Sequence, residues 1–142
     1  MPLGELDSVP LTRPFNASPE KVFDAWVNPD LLRLWLAPVV EVDARVEGHF
    51  RLEVSKPEGT HVVTGVYREF EPGRHIMMNW VYEGPMGSAD QMEALLTIDF
   101  HKRGSSTEIE LHHDHLTNPA YRDTIQRGAW TKALDELGKI VP

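Results

Sequence analysis

Residues 118–141 read NPAYRDTIQRGAWTKALDELGKIV and form the longest helical pattern in the chain. Asn118 is a plausible N-cap, and Pro119 suits the first helical position, where its missing N–H would have no partner anyway. Apolar or small residues recur at steps of three and four, which is the period of one helical face. They are Tyr121, Ile125, Gly128, Ala129, Ala133, Leu137, Ile140 and Val141, and Trp130 and Leu134 widen the stripe. The pattern predicts a long amphipathic C-terminal helix that must be covered on one face.

The middle of the chain, from residue 39 to residue 113, predicts a run of antiparallel strands. Apolar and polar residues alternate there with a period of two, which is typical of strands with one buried face. The inward sets are Val40, Val42, Ala44 and Val46; Phe50, Leu52 and Val54; Ile76, Met78, Trp80 and Tyr82; Leu96, Ile98 and Phe100; and Thr107, Ile109, Leu111 and His113. A further strand is expected over residues 61–70, where Gly65 indicates a bulge or a close approach. Turns join these runs, and we expect residues 84–91 to form a flexible loop.

The N-terminal third predicts one strand and two short helices. Two prolines allow only an irregular or edge strand over residues 5–15. Ser18 is expected to cap a helix that begins at Pro19. Asp30 is expected to cap a second helix over residues 31–36.

Together these elements predict one α+β domain that spans residues 1–142. Sequential hairpins build one antiparallel sheet of six or seven strands, and one face of such a sheet must be covered. A helix of roughly 22 residues is about 33 Å long at ~1.5 Å per residue, which is enough to cross the sheet. A curved sheet that receives a long helix in this way is a helix-grip fold. The space between helix and sheet is then filled by side chains or by a ligand.

The composition argues against several classes of protein. The 142 residues include 14 Lys and Arg against 22 Asp and Glu, which gives a formal charge of −8. No basic run is present, so nucleic acid and anionic membranes are not expected as partners. The chain has no cysteine, which excludes disulfides and thiolate metal sites. No apolar run approaches the ~18 residues of a membrane span, and the N-terminus lacks the pattern of a signal peptide, so we expect a cytoplasmic protein.

Several short stretches, taken in order, resemble one family. They are residues 17–26 (ASPEKVFDAW), Asn28-Pro29, Trp35, residues 65–67 (GVY), Glu71-Pro72, residues 78–80 (MNW) and Trp130-x3-Leu134-x2-Leu137. Over nearly the whole chain, their order and spacing resemble the family named after the activator of Hsp90 ATPase homologue 1, in the START-like superfamily. The chain departs from the family pattern at two positions. Glu47 stands where the family usually has the first of two glycines. The family also usually has a glycine directly before the helix tryptophan, whereas here Ala129 separates Gly128 from Trp130. The resemblance implies a START/Bet v 1-like fold with a cavity between helix and sheet, and it implies no shared reaction.

The predicted inner faces place large apolar side chains around one interior. Strand parity for the sheet residues and helical phase for the last residue bring together Trp35, Phe50, Met78, Trp80, Leu96, Ile98 and Trp130. The tryptophans suit a pocket that stacks on a flat or lipid-like ligand, and they suit ordinary core packing as well. His113, near the cavity mouth, is a candidate polar handle or general base, or else a hydrogen-bonded structural histidine. Gln126 on the long helix is a candidate group to orient a ligand.

The densest titratable run is His112-His113-Asp114-His115. On a strand, His113 and His115 would point the same way, a spacing seen in metal sites, and His75 or Asp99 would supply a third ligand. A solvated strand end is the simpler interpretation, so we expect no metal. No nucleophile motif and no phosphate-binding loop is present in the sequence, so neither a catalytic residue nor a cofactor is predicted.

Three functions remain open. The first is a non-catalytic module that binds a small apolar molecule, favoured by an inward set rich in Trp, Met and Phe. The second is a chaperone-associated or regulatory adaptor with a protein partner, which rests on the family name and the acidic surface. The third is a hydrolase or cyclase that acts on a hydrophobic substrate with His113 as acid or base, although no nucleophile is evident. We expect a monomer or a homodimer.

Overall fold

The computed structural model describes residues 8–87, 94–116 and 118–141. Within these ranges seven strands form one curved antiparallel sheet in the order β1-β7-β6-β5-β4-β3-β2. The strands are β1 (Val9–Phe15), β2 (Val39–Val42), β3 (His49–Lys56), β4 (Gly59–Glu71), β5 (His75–Glu83), β6 (Ala94–Arg103) and β7 (Ser106–Asp114). The helices are α1 (Pro19–Val27), α2 (Pro29–Trp35), α3 (Pro119–Thr124) and α4 (Trp130–Ile140), and a π-helical turn (Ile125–Ala129) joins α3 to α4. The predicted helix-grip fold is confirmed.

Two predicted segments extend beyond the described ranges. Residues 5–7 of the predicted first strand and residues 88–91 of the predicted loop lie outside the described residues. The described part of that loop is a tight turn, in which Gly84 and Gly87 exchange two backbone hydrogen bonds of 2.9 and 3.0 Å. Among the helices of the described residues, none combines the length and the apolar character that crossing a membrane requires.

Prolines and capping residues explain the positions of β1, α1 and α2. β1 lies at one edge of the sheet, which is the position that its prolines tolerate. Ser18 caps α1, since its Oγ accepts the N–H of Lys21 at 3.3 Å. The cap of α2 is Asn28 rather than Asp30, because Asn28 Oδ1 accepts the N–H of Asp30 at 3.0 Å. The helix therefore begins at Pro29, two residues earlier than predicted, where proline lacks only an N–H that needs no partner.

β2 is shorter than the alternating sequence predicts. The strand ends at Val42, and both Ala44 and Val46, which were predicted to face inward, are exposed. The chain turns instead, since the N–H of Gly48 donates to the carbonyl oxygen of Arg45 at 2.9 Å. β2 is an edge strand that pairs only with β3, so a local turn can replace the strand without leaving a second neighbour unpaired.

Gly65 in β4 is a close approach and not a bulge. A Cβ at this position would collide with the backbone oxygen of Asn79 and with the ring of Phe50. The irregularity in the pairing of β4 with β5 falls between Tyr67 and Glu69. The glycine is therefore required for space, because strand and ring pass directly against its backbone.

The C-terminal helix is bent at the π-helical turn. Gly128 has a φ of 110°, a value that favours glycine because it has no Cβ. A π turn adds residues to the helical repeat, so the positions beyond it are rotated relative to an ideal helix. The buried residues of α4 are Trp130, Leu134 and Leu137, whereas Ala133, which belongs to the predicted stripe, is only half-buried.

The C-terminal helical segment packs on the inner face of the sheet through two aromatic contacts. Trp80 Nε1 on β5 donates to the Tyr121 hydroxyl on α3 at 2.7 Å. Trp130 Nε1 on α4 donates to Nδ1 of His113 on β7 at 2.9 Å. Met78 and Trp80 are buried and their sequence neighbours are half-buried, so the predicted register of β5 is confirmed.

Candidate functional site

A pocket of about 490 Å³ lies between the C-terminal helical segment and the β3–β5 part of the sheet. We call it the helix–sheet pocket. Strands β3, β4 and β5 contribute Leu52, Val54, Lys56, His61, Val63, Trp80 and Tyr82, and the C-terminal helical segment contributes Tyr121, Thr124, Ile125 and Ala129. The remaining lining residues are Leu36 and Ala37 just after α2, Glu58 in the turn between β3 and β4, and Pro85 and Met86 after β5. The volume lies within the range of roughly 300–1,000 Å³ that small-molecule sites occupy.

Asn118 positions the helical wall of the pocket against the turn after β5. Its Oδ1 accepts the N–H of Tyr121 at 3.0 Å, which caps α3, and its Nδ2 donates to the carbonyl oxygen of Met86 at 2.8 Å. Asn118 is buried, so both ends of this polar side chain require partners. A Cβ on Gly87 would collide with this amide. The capping residue predicted from the sequence therefore also joins the helix to the sheet.

One wall of the pocket carries a chain of hydrogen bonds. The N–H of Met86 donates to the Tyr82 hydroxyl oxygen at 3.3 Å, and that hydroxyl lies 2.6 Å from Nδ1 of His61. Nε2 of His61 lies 2.9 Å from Oε2 of Glu58. The hydrogen bond with His61 lowers the pKa of Glu58, so this carboxylate is ionised near neutral pH. Burial raises the pKa of Tyr82, so its hydroxyl keeps its hydrogen.

Two stacked tyrosines border the same space. The rings of Tyr82 and Tyr121 are nearly parallel, with an angle of 18° between their planes and 4.2 Å between their centroids. The Tyr121 hydroxyl accepts a hydrogen bond from Trp80, and burial raises the pKa of Tyr121 above its usual value. A phenol that accepts one hydrogen bond still has its own hydrogen to donate. The pocket therefore combines flat aromatic walls with hydroxyl groups.

His113 lies deeper in the protein and is fully buried. Its Nδ1 accepts the indole N–H of Trp130, so the ring hydrogen of the neutral imidazole is on Nε2. Burial lowers the pKa of His113 to about 3, so the ring is neutral at physiological pH. A neutral ring with this pKa is a poor general base, and His113 does not line the helix–sheet pocket. The geometry is that of a hydrogen-bonded structural histidine, one of the two roles expected from the sequence.

The nine residues predicted to form a ligand site are distributed over four places. Trp80 lines the helix–sheet pocket. Phe50 and Met78 border a much smaller void of about 20 Å³ that Trp80 also lines. The others that are buried belong to the packed core and are Trp35, Leu96, Ile98, His113 and Trp130. Gln126 is exposed on the helix and is not part of the pocket lining.

The polar groups of the pocket are not apparent from the sequence. Alternation places Tyr82 on the inner face of β5, and helical periodicity places Tyr121 on the apolar face of the helix, but neither pattern marks the residue as a ligand contact. His61 lies two residues before the inward Val63, so strand alternation indicated its side as well. Glu58 lies in the turn between β3 and β4. Because a turn has no alternating pattern, nothing in the sequence placed this carboxylate beside His61.

The histidine run at the end of β7 does not present two histidines on one face. β7 ends at Asp114, and His115 is exposed with a φ of 60°, whereas His113 is buried. The expectation that the two point the same way is therefore wrong. His112 bonds Oε2 of Glu110 at 3.0 Å. Across residues 8–87, 94–116 and 118–141, no group of three or more His, Asp and Glu side chains is arranged to hold a metal ion.

A second cleft, of about 580 Å³, lies at the opposite end of β5, where His75 is held between two carboxylates. Nδ1 of His75 lies 2.6 Å from Asp99 Oδ1, and Nε2 lies 2.6 Å from Glu69 Oε1. Burial lowers the pKa of His75, but the hydrogen bonds with Asp99 and Glu69 outweigh it and raise the pKa overall. These groups satisfy one another, and the cleft lacks the aromatic walls of the helix–sheet pocket.

Comparisons with known proteins agree with this architecture. A sequence model of the family described as activator of Hsp90 ATPase homolog 1-like protein matches residues 16–142. Protein CV1439 from Chromobacterium violaceum is 24% identical, with a TM-score of 0.83 over 96% of this chain and 97% of that one. CalU16 from Micromonospora echinospora is 24% identical, with a TM-score of 0.74 over 94% of this chain and 75% of that one. A protein from Rhodobacter sphaeroides is 25% identical, with a TM-score of 0.75 over 96% of this chain and 93% of that one. No curated protein matches the chain.

Proposed function

The chain belongs to the activator of Hsp90 ATPase homolog 1-like family, and on this premise we propose that its helix–sheet pocket binds a small, mostly apolar molecule that carries an oxygen atom. The observation that supports the proposal is the pocket itself, about 490 Å³ in volume and lined mainly by apolar and aromatic side chains. Small-molecule sites typically combine such a lining with a few polar groups that fix orientation.

The chemistry of the lining defines the ligand class. Trp80, Tyr82 and Tyr121 offer aromatic faces, which favour a flat, conjugated molecule. Leu52 and Ile125 contribute aliphatic surface. The Tyr121 hydroxyl is available as a donor to a carbonyl or hydroxyl oxygen of the ligand. A purely apolar ligand would displace water from the Tyr121 hydroxyl without replacing the hydrogen bond to that water, and a buried polar group without a partner is unfavourable.

A blocking variant tests the proposal. Ala129 lines the pocket and is half-buried, so Ala129→Phe should fill part of the space. Ala133→Phe, on the same helical segment and also half-buried but outside the lining, is the matched control. Binding of flat ketones such as 1-tetralone, and of phenols and fatty acids, is measured by isothermal titration calorimetry, with melting curves to verify folding.

We expect saturable one-to-one binding of at least one flat oxygenated compound to the wild type. Ala129→Phe should raise its Kd at least about tenfold, the equivalent of ~1.4 kcal/mol, whereas Ala133→Phe should leave it within about threefold. If no compound binds, or if the two variants weaken binding equally, the pocket is not the functional site. The adaptor hypothesis would then take precedence, with the acidic surface as its candidate contact.

A further inference from the structure

When the His61 ring is neutral, only one arrangement of hydrogens satisfies the hydrogen-bonded wall of the helix–sheet pocket. An ionised carboxylate only accepts, so the hydrogen of the neutral His61 ring is on Nε2, toward Glu58 at 2.9 Å. Nδ1 of His61 is then an acceptor, and the Tyr82 hydroxyl, 2.6 Å away, must donate to it. The Tyr82 oxygen in turn receives the N–H of Met86 at 3.3 Å.

This arrangement has the order hydroxyl, imidazole, carboxylate that activates hydroxyl groups in many enzymes. We propose that Glu58, His61 and Tyr82 form a proton relay that removes a hydrogen from the carbon beside a carbonyl group of a ligand in the pocket. The proposal rests on the binding function proposed above and names its substrate class, a flat, mostly apolar molecule with an enolisable carbonyl.

The proton transfer balances without an added reagent. The α-carbon C–H bond breaks, and its proton goes to the Tyr82 oxygen while the Tyr82 hydrogen passes to Nδ1 of His61. The electron pair of that bond forms the carbon–carbon double bond of the enolate, and the carbonyl oxygen takes the negative charge. The imidazolium of His61 is stabilised by Glu58. Reversal of the same steps returns a proton to carbon.

Tyr121, which lies beside Tyr82 in the pocket lining, supplies what the developing enolate needs. The Tyr121 hydroxyl accepts from Trp80 at 2.7 Å and has its own hydrogen to donate to the enolate oxygen. Its ring stacks on that of Tyr82 with 4.2 Å between centroids, and both residues line the pocket. The apolar lining lowers the local dielectric and strengthens each of these polar contacts. Enolisation of this kind begins isomerisation and aldol-type ring closure.

The experiment separates binding from proton transfer on one probe. Deuterium uptake at the α-carbon of 1-tetralone is followed by mass spectrometry in buffered D₂O, and its Kd is measured by calorimetry on the same preparations. The variants are Glu58→Gln, His61→Gln and Tyr82→Phe, each checked by melting. His112→Gln is the matched control, because His112 also bonds a glutamate, Glu110, at 3.0 Å but outside the pocket.

We expect the wild type to accelerate exchange over buffer by roughly 10²-fold or more, which is the scale of general acid–base catalysis. His61→Gln should lower that acceleration at least about tenfold, while its Kd stays within about threefold of the wild-type value. Glu58→Gln should also lower the acceleration, although Glu58 lies in an exposed turn. His112→Gln should match the wild type.

Saturating binding with exchange at the buffer rate would overturn the relay and leave the binding proposal intact. Loss of exchange in Lys56→Gln but not in His61→Gln would also overturn it, since imine formation would then explain the exchange. Failure of the probe to bind would overturn both proposals for this ligand class.

Discussion

Trp130 and His113 are joined by a hydrogen bond of 2.9 Å that fixes the protonation state of a fully buried histidine. The indole donates to Nδ1, so a protonated ring, which has donors at both nitrogens, would break this bond. Burial opposes the charge as well. The long helix and β7 are therefore joined by a contact that exists only while His113 is neutral.

This contact makes the stability of the protein depend on pH. The pKa of His113 is about 3 in the folded protein and about 6.5 when unfolded, so between these values only the unfolded chain binds the proton. The stabilisation is complete above the unfolded pKa and is lost as pH falls toward the folded pKa, by roughly 1.4 kcal/mol per pH unit. Urea unfolding at pH 7, 6 and 5 measures the slope.

The variant His113→Phe is the control for the slope of the unfolding free energy against pH. The variant leaves the Trp130 N–H unpaired and should be less stable at pH 7 by about 1–3 kcal/mol. Its stability should nevertheless fall less steeply with acidification than that of the wild type. Equal slopes, or an NMR titration of the His113 ring between pH 5 and 8, would contradict the assignment.

His75 should show the opposite pH dependence. Its hydrogen bonds with Asp99 and Glu69 raise its pKa, so the stabilisation is present below the unfolded pKa of about 6.5 and is lost as pH rises through the folded value. Glu69 is more than half exposed, so the contribution should be about 1 kcal/mol or less. Asp99→Asn should lower the midpoint of the His75 titration in NMR. Glu110→Gln, which removes a carboxylate from two other histidines, should leave that midpoint unchanged.

Two glycines of the C-terminal segment should respond to alanine with opposite signs. Gly128 has a φ of 110°, where a Cβ is strained, so Gly128→Ala should lower the free energy of unfolding by ~1–2 kcal/mol. Gly138 lies within α4, and a Cβ there would meet a Phe15 ring carbon at an ordinary 3.8 Å. Gly138→Ala should therefore stabilise the protein by roughly 0.5–1 kcal/mol. Urea denaturation of the two variants side by side measures both effects, and a neutral Gly128→Ala would mean that the bend is not required.

The sequence predicted the sheet well because hydrophobic alternation records burial directly. The inward residues of β5, β6 and β7 follow from parity alone, and each run is long enough to exclude a slip of one position. The alternation from Val40 to Val46 failed after Val42, because a pattern cannot show that the backbone turns and satisfies its own hydrogen bonds. Periodicity likewise does not show the bend at Gly128, which rotates the following positions of the helix. As a result, Trp130, Leu134 and Leu137 form the buried face of α4.

The site was less predictable than the fold because it depends on contacts between distant segments. Parity identifies which side chains point inward, but it does not separate packed residues such as Leu96 and Ile98 from those beside empty space such as Trp80. The bond between His61 and Tyr82 joins positions 21 residues apart, and only the hairpin register brings them together.

Trp35 and Trp80 offer a matched test of where core ends and pocket begins. Both are buried and both donate an indole hydrogen bond, Trp35 to the carbonyl oxygen of Ala25 at 2.8 Å and Trp80 to Tyr121 at 2.7 Å. Only Trp80 of the two lines the helix–sheet pocket. Alanine at either position should lower the free energy of unfolding by about 3–5 kcal/mol, because each leaves a large cavity.

The two variants should differ in ligand binding. Trp80→Ala should also weaken the binding of a flat ketone by roughly 1–3 kcal/mol, the scale of removing one large apolar contact, whereas Trp35→Ala should leave the Kd within about threefold. Calorimetric titration and urea unfolding on the same preparations measure both quantities, and leucine at the same positions provides a milder pair if either alanine variant fails to fold. Equal losses of affinity in the two would mean that binding follows global stability rather than contact with Trp80. A Trp80 variant that unfolds more easily but binds as tightly as the wild type would place that side chain in the core and the ligand elsewhere.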